Sequence, residues 1–175
     1  MLGAAGAGLA QAADAAAPAG PPSMGGPGGP PRGPPPPPAR GPSLDVALEA
    51  VQAAIAACAA DNLKVTAVAA DSSGAIKAAM VSDGVNGMTA TFAQRKIAVV
   101  IDFKKPSSQV MADARNDKEL ATRLAANPNY FAVPGAVPLN VGEEFIGALA
   151  VSGASGEQDE ACALAAVAKV KDRLK

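Results

Sequence analysis

The chain has 175 residues, a net charge of −1, 3% aromatic residues, and neither tryptophan nor histidine. It lacks the clustered Lys and Arg that grip a phosphate backbone and the aromatics that stack bases, so no nucleic-acid partner is expected. Without an imidazole, Ser-His-Asp and Cys-His catalysis are excluded, and two cysteines with no Cys-x-x-Cys spacing do not make a zinc site, so no metal site is expected.

The first segment, residues 1–17, reads as signal-peptide-like. Its apolar stretch from Leu2 to Leu9 is rich in small residues, and Ala10-Gln11-Ala12 fits an A-x-A cleavage pattern with a cut before Ala13. A basic segment ahead of the apolar stretch is missing. The reading is export to the periplasm or beyond, with a cytoplasmic location as the alternative, and the stretch is too short and weakly apolar to span a membrane. Residues 18–42 hold 12 of the 16 prolines. Such a segment cannot bury enough apolar surface to offset its ordering entropy, and polyproline stiffens it into a spacer. The folding domain is therefore 43–175; removing Arg32, Arg40 and Asp14 leaves it a net charge of −2.

Ser43 is the predicted N-cap of a helix over 44–60, with Leu44, Leu48, Val51, Ile55 and Cys58 on one face. The runs "KVTAVAAD" (64–71) and "AIKAAMVS" (75–82) flank Ser72-Ser73-Gly74 and predict a hairpin. After the turn-rich "DGVNG" (83–87), Thr89 opens a helix to Phe103. Lys105-Pro106 ends that region, because the residue before proline avoids the helical conformation. Ser107 is the expected cap of a short helix over 108–115, and another follows over 117–126, stopped by Asn127-Pro128. Residues 130–153 read as short strands with turns at Pro134-Gly135 and Gly142-Glu143, and a last helix runs from Gly156 to Leu174. Hairpins separated by helices predict an α+β domain with a central antiparallel sheet of about five strands flanked by helices.

Two helices carry charge on their apolar sides. In 89–103, Phe92, Ala93, Val99, Val100 and Phe103 all lie within roughly 60° of Lys96. A buried ammonium must snorkel, pair with a carboxylate or line a pocket. In the last helix, Ala163, Ala166, Val167, Val170 and Leu174 form a stripe flanked at its first turn by Asp159 and Glu160. Those two are candidate partners for Lys96, as are Asp71 and Asp83 at strand ends. Ser155 and Gln158 fit a capping box. Three carboxylates at this helix mouth, with no lysine after the glycines, argue against a phosphate cradle.

The segments "SLDVALEAVQAAIAAC", "SDGVNGMTATFAQRKIAVV" and "VPGAVPLNVGEEFIGALAVSGASGEQDEACALAAV" resemble the GlcG/HbpS-like family, described as haem-binding or haem-degrading. The most specific pieces are Ala93 to Lys96, Pro134 to Pro138, and Gly147 to Ala163, and the likeness covers Ser43 to Lys171. The resemblance implies a profilin-like fold, a homo-oligomer, and either haem binding by an exported protein or a cytoplasmic role near glycolate or diol metabolism. Here the chain departs from the pattern, because ligation of haem by histidine is impossible. The remaining candidate iron ligands are Met80, Met88, Met111, Cys58, Cys162, Tyr130 and Lys96, of which the loop residues Met88 and Tyr130 are the best placed.

Two functional readings follow, with a purely structural oligomer as a third. The first is an exported binding protein for haem or a related tetrapyrrole without histidine ligation. The second is an enzyme or accessory protein for a small hydroxy-acid-type metabolite, bound by Lys96, Gly135, Asp159 and Glu160; no catalytic residue is assigned. Export would permit a Cys58–Cys162 disulfide, although Cys162 lies about 100° off its helix stripe, which does not favour the bond.

Overall fold

The structure is a computed structural model that describes residues 38–175; the export-like segment and most of the proline-rich segment lie outside the described residues. Helix α1 (Leu44–Ala60) leads into a hairpin of β1 (Thr66–Asp71) and β2 (Ile76–Val81). Helices α2 (Met88–Phe103), α3 (Ser107–Asn116) and α4 (Lys118–Ala126) follow, then β3 (Ala136–Val141), β4 (Glu144–Ser152) and α5 (Gly156–Val170), which ends in a 3₁₀ turn over Lys171–Arg173. The strands form one antiparallel sheet in the order β2-β1-β4-β3.

The predicted α+β architecture is what the chain adopts, with four strands among the described residues where about five were expected. Residues 130–135 do not pair as a strand. They pass over α2, where Phe131 stacks on Phe92 with ring centroids 4.9 Å apart, and Phe131 N–H donates to the Arg95 carbonyl. Pro134 has no N–H to give a ladder, so pairing begins only at Ala136.

The pleat of the central strands builds two cores. Ala67, Ala69, Leu149 and Val151 point to one face, where α1 and α5 cover them. Val68, Ala70, Ala148 and Ala150 point to the other, under Ala93, Ile97 and Val100 of α2. Alternation in strands, period 2 against two helical layers, is why both central strands read as nearly continuous small apolar runs. Polar ends are handled locally. Asp71 accepts from the N–H groups of Ser73 and Ala75 and from Ser73 Oγ, which closes the hairpin turn. Burial alone would raise its pKa, yet those hydrogen bonds hold it below the ordinary carboxylate value.

Three local expectations are corrected. Leu44 and Leu48 are exposed, and α1 instead buries Val46, Ala47, Ala50, Val51, Ala53, Ala54 and Cys58. A pattern drawn through the large residues missed that alanines form the packed face. Ser43 precedes α1 but makes no side-chain cap; its hydroxyl bonds to Asp45. Ser107 is the first residue of α3 and not its cap, because its hydroxyl is turned to the sheet edge, accepting from Ala136 N–H at 3.0 Å.

Cys58 and Cys162 are joined by a disulfide between α1 and α5. The objection from helix geometry fails because α5 buries Asp159, Cys162, Ala163, Ala166 and Val170, while Val167 is only half-buried. The buried arc is turned toward Cys162, and α1 presents Cys58, fully buried, to meet it.

Candidate functional site

Lys96 projects from the middle of α2 and is 2% exposed. Its ammonium donates to Asp159 Oδ2 at 2.8 Å and to the Val151 carbonyl at 2.9 Å. Asp159, also 2% exposed, accepts from Ala154 N–H on its other oxygen at 3.0 Å. The pair therefore ties α2 to the first turn of α5 and to the end of β4. Charges taken this far from water need such pairing and further hydrogen bonds to persist.

Gly135 is packed on this pair. Its φ is +128°, and a Cβ there would stand 2.4 Å from Lys96 Nζ and 2.8 Å from the Val151 carbonyl oxygen. Both the backbone conformation and the space require glycine. Glu160 takes a different route from its neighbour. It accepts from Gly135 N–H at 3.1 Å and from Ser108 Oγ at 2.6 Å, on the side of α5 that faces α3. Lys96, Gly135, Asp159 and Glu160 are thus gathered in one place, but only Asp159 is the ion-pair partner. Asp71 caps its hairpin turn and Asp83 is exposed, so neither serves Lys96.

The buried pair forms the base of an open cleft of about 440 Å³. Its walls include Met88, Phe92, Phe131 and Val133, and its polar lining includes Asn86, Thr89 and Ser152. Two helix N-termini flank it, since Met88 opens α2 and Gly156 opens α5. Gly135 and Glu160 are not part of this lining. Glu160 borders a separate groove with Ser108, Met111, Pro134 and Leu164.

Of the two candidate iron ligands judged best placed, Met88 stands at the cleft, half-exposed at 53%. Tyr130 is elsewhere. Its hydroxyl bonds to Asp102 and its ring meets Phe103 edge-on. That bond to Asp102 raises the phenol pKa, with burial and the carboxylate's charge adding to the rise. The sequence reading placed Thr89 only as the start of a helix and did not single out Phe131 or Ser152. Phe131 carried a usable signal, as an aromatic in a chain with few; Thr89 and Ser152 became legible only once the strand and helix ends were placed.

The family described as "Haem degrading protein HbpS-like" matches residues 43–168. The chain belongs to that HbpS-like family. A double mutant of Streptomyces reticuli HbpS has 25% sequence identity and a TM-score of 0.67, over 73% of this chain and 86% of that one. Klebsiella pneumoniae ORFY superposes with a TM-score of 0.71 at 20% identity, covering 78% of this chain and 94% of that one. A PduOC:heme complex does so with a TM-score of 0.65 at 19% identity, over 72% and 92% of the two chains. The last two are likenesses of fold. No protein of curated function matches the sequence significantly. The cleft of this HbpS-like chain lies wholly within the matched residues.

Proposed function

We propose that this HbpS-like protein binds haem or a related tetrapyrrole in the cleft between the N-terminus of α2, the 131–133 segment and the β4–α5 loop. One observation carries the reading: an open, aromatic-walled cleft of about 440 Å³ with a neutralised polar base, inside the region matched to a haem-degrading family. Mostly apolar walls with a few fixed polar groups are what a planar apolar ligand needs. A relative of the same fold is a haem complex, which supports the choice of ligand. The residues fit the group as an apolar binder with a single soft donor. Met88 supplies a thioether at the cleft, and thioether sulfur is a competent haem-iron ligand. Lys96 is committed to Asp159 and Val151, so it holds the base of the cleft in place and does not serve as an iron ligand.

Export fits the same reading. A disulfide between α1 and α5 suits an oxidising compartment, and the protein belongs in the periplasm or outside the cell, with 1–17 as the export segment, 18–42 as a linker and 43–175 as the binding domain, assembled as a homo-oligomer. No helix among the described residues is long and apolar enough to cross a membrane.

Haemin titration of the full chain, followed at the Soret band, tests the proposal. Saturable one-to-one binding is expected, with Met88→Ala shifting the band and Tyr130→Phe leaving it unchanged. Binding no stronger than to an unrelated control protein would discard haem. The hydroxy-acid reading would then lead, favoured by the polar base of the cleft.

A further inference from the structure

One end of the cleft is built differently from its aromatic walls. Ser152 is the last residue of β4 and lies directly opposite Thr66 of β1. Ala148 and Ala150 face α2, so the strand pleat turns Ser152 to the same side, at the cleft lining. The residue is 5% exposed. Its neighbours' hydroxyls are already used. Thr89 Oγ1 donates to the Asn86 carbonyl at 2.7 Å, so the 2.7 Å bond between Thr66 and Thr89 must have Thr66 as donor. Among the described residues, the Ser152 hydroxyl has no hydrogen-bond partner. Arg95 Nε is the buried side-chain polar atom left without a partner among the described residues, so the Ser152 hydroxyl is reached from the open cleft it lines and can donate to what enters there.

Its surroundings select the charge of that visitor. Lys96 has three N–H donors and two of them are taken, by Asp159 and Val151, leaving one uncommitted on a side chain that lines the cleft. Both Asp159 oxygens are committed, to Lys96 and to Ala154 N–H, and Lys96 balances the charge. The first turn of α2 contains no acidic residue; its Met88 N–H is capped by the Asn86 side chain at 2.8 Å and its Thr89 N–H by the Asn86 carbonyl at 3.0 Å. The positive end of that helix dipole is therefore met by a neutral cap and by no carboxylate of its own first turn. The N-terminus of α5 is the opposite case, closed by the Ser155–Gln158 capping box and carrying Glu157.

We propose that this end is a carboxylate subsite, in which Ser152 Oγ and the third N–H of Lys96 receive a ligand carboxylate beside the N-terminus of α2. For the body of the ligand the assignment rests on the tetrapyrrole reading: the ring system lies against Phe92 and Phe131, and a propionate reaches Ser152. A free hydroxy acid would present the same carboxylate without the ring.

The test compares the full chain with its Ser152→Ala variant. The substitution removes a hydroxyl without a partner, so the thermal midpoint should not move. Haemin should bind the variant about tenfold more weakly, the scale of one charge-assisted hydrogen bond. Haemin dimethyl ester, whose propionates are masked, should bind both proteins as weakly as haemin binds the variant. Equal haemin affinity for the two proteins, matched by the ester, would overturn the subsite and leave the tetrapyrrole reading standing. If haemin binds neither protein, that reading falls and glycolate decides the subsite by amide chemical shifts at residues 152 and 96. Shifts seen in the native chain and lost in Ser152→Ala support it; no shifts, or the same shifts in both, overturn it.

Discussion

Replacing Lys96 by methionine probes the base of the cleft directly. The side chain stays unbranched, becomes one atom shorter and loses its charge. Asp159, 2% exposed, would then face the interior with the Ala154 N–H as its remaining partner, and the Val151 carbonyl would lose the ammonium. Breaking a buried pair by removing one partner costs about 3–5 kcal/mol, because an uncompensated charge is left behind. A domain of this kind has about 5–15 kcal/mol in all, so the loss takes a large fraction of it. With a urea dependence of about 2 kcal/mol per molar, the midpoint should fall by about 2 M. The double substitution Lys96→Met with Asp159→Leu removes both charges and should recover at least half of that loss, since apolar replacement of a whole pair is often neutral. Equilibrium urea unfolding of the three proteins is the assay. A single-variant loss below about 1 kcal/mol, the range of surface pairs, would refute the claim that this is a coupled, desolvated pair. A double variant no more stable than Lys96→Met would refute the desolvation argument itself.

Two further outcomes are expected. The Cys58–Cys162 bond spans a sequence separation of 104, and closing such a loop stabilises by about 4.7 kcal/mol in the chain-entropy picture; native disulfides more often give about 2–4. Thermal unfolding with and without reductant, or of the double Cys→Ala variant, should show a large fall in midpoint, and an unchanged midpoint would contradict it. Tyr130 is the sole tyrosine and tryptophan is absent, so ultraviolet absorbance reports its ionisation alone. The hydrogen bond to Asp102 raises the phenol pKa, so its contribution to stability is complete below the ordinary tyrosine pKa and is lost as pH rises through the folded value. Asp102→Asn should bring the titration midpoint down toward the ordinary value, and an unchanged midpoint would refute the assignment.

Much of this architecture was legible because its signals are local. Ser72-Ser73-Gly74 forced the hairpin, Lys105-Pro106 ended α2, and the lysine in an apolar stripe raised three options, snorkelling, pairing or lining a pocket, between which the structure decides for the pair. What escaped depends on groups distant in sequence. The α1 face was misplaced because leucines were weighted above alanines, yet helices that approach a sheet and each other closely are covered by Ala47, Ala50, Ala53 and Ala54. Cys162 was put off its stripe for a different reason: Val167, only half-buried, was counted in the packed face and turned its centre away from Cys162. Residues 130–153 were read as short strands with a turn at Pro134-Gly135, and ahead of that turn the stacking of Phe131 on Phe92 outweighed strand propensity. Ser152 was invisible because a serine at a strand end carries no signal until the sheet register and α2 are both in place.

Asp159 and Glu160 show why the helix mouth carries adjacent acids. Consecutive residues on a helix diverge by about 100°, so the two carboxylates cannot share one partner; they reach opposite sides of the same helix turn. Asp159 takes Lys96, whose ammonium sits against Gly135, while Glu160 takes the N–H of Gly135 itself and Ser108 from α3. The Pro134-Gly135 entry to β3 is held from both sides. Val151 completes the circuit, donating its N–H to the Gly135 carbonyl and accepting from Lys96 through its own carbonyl. The acids therefore do more than suit a helix dipole. They fix where β3 begins, and through Lys96 they fix how α2 lies on the sheet, which sets the distance between Phe92, Phe131 and Ser152. The geometry of the cleft depends on charges buried beneath it, so substitutions at Asp159 and at Glu160 act on one shared element, Gly135, and their effects on stability should be coupled rather than additive.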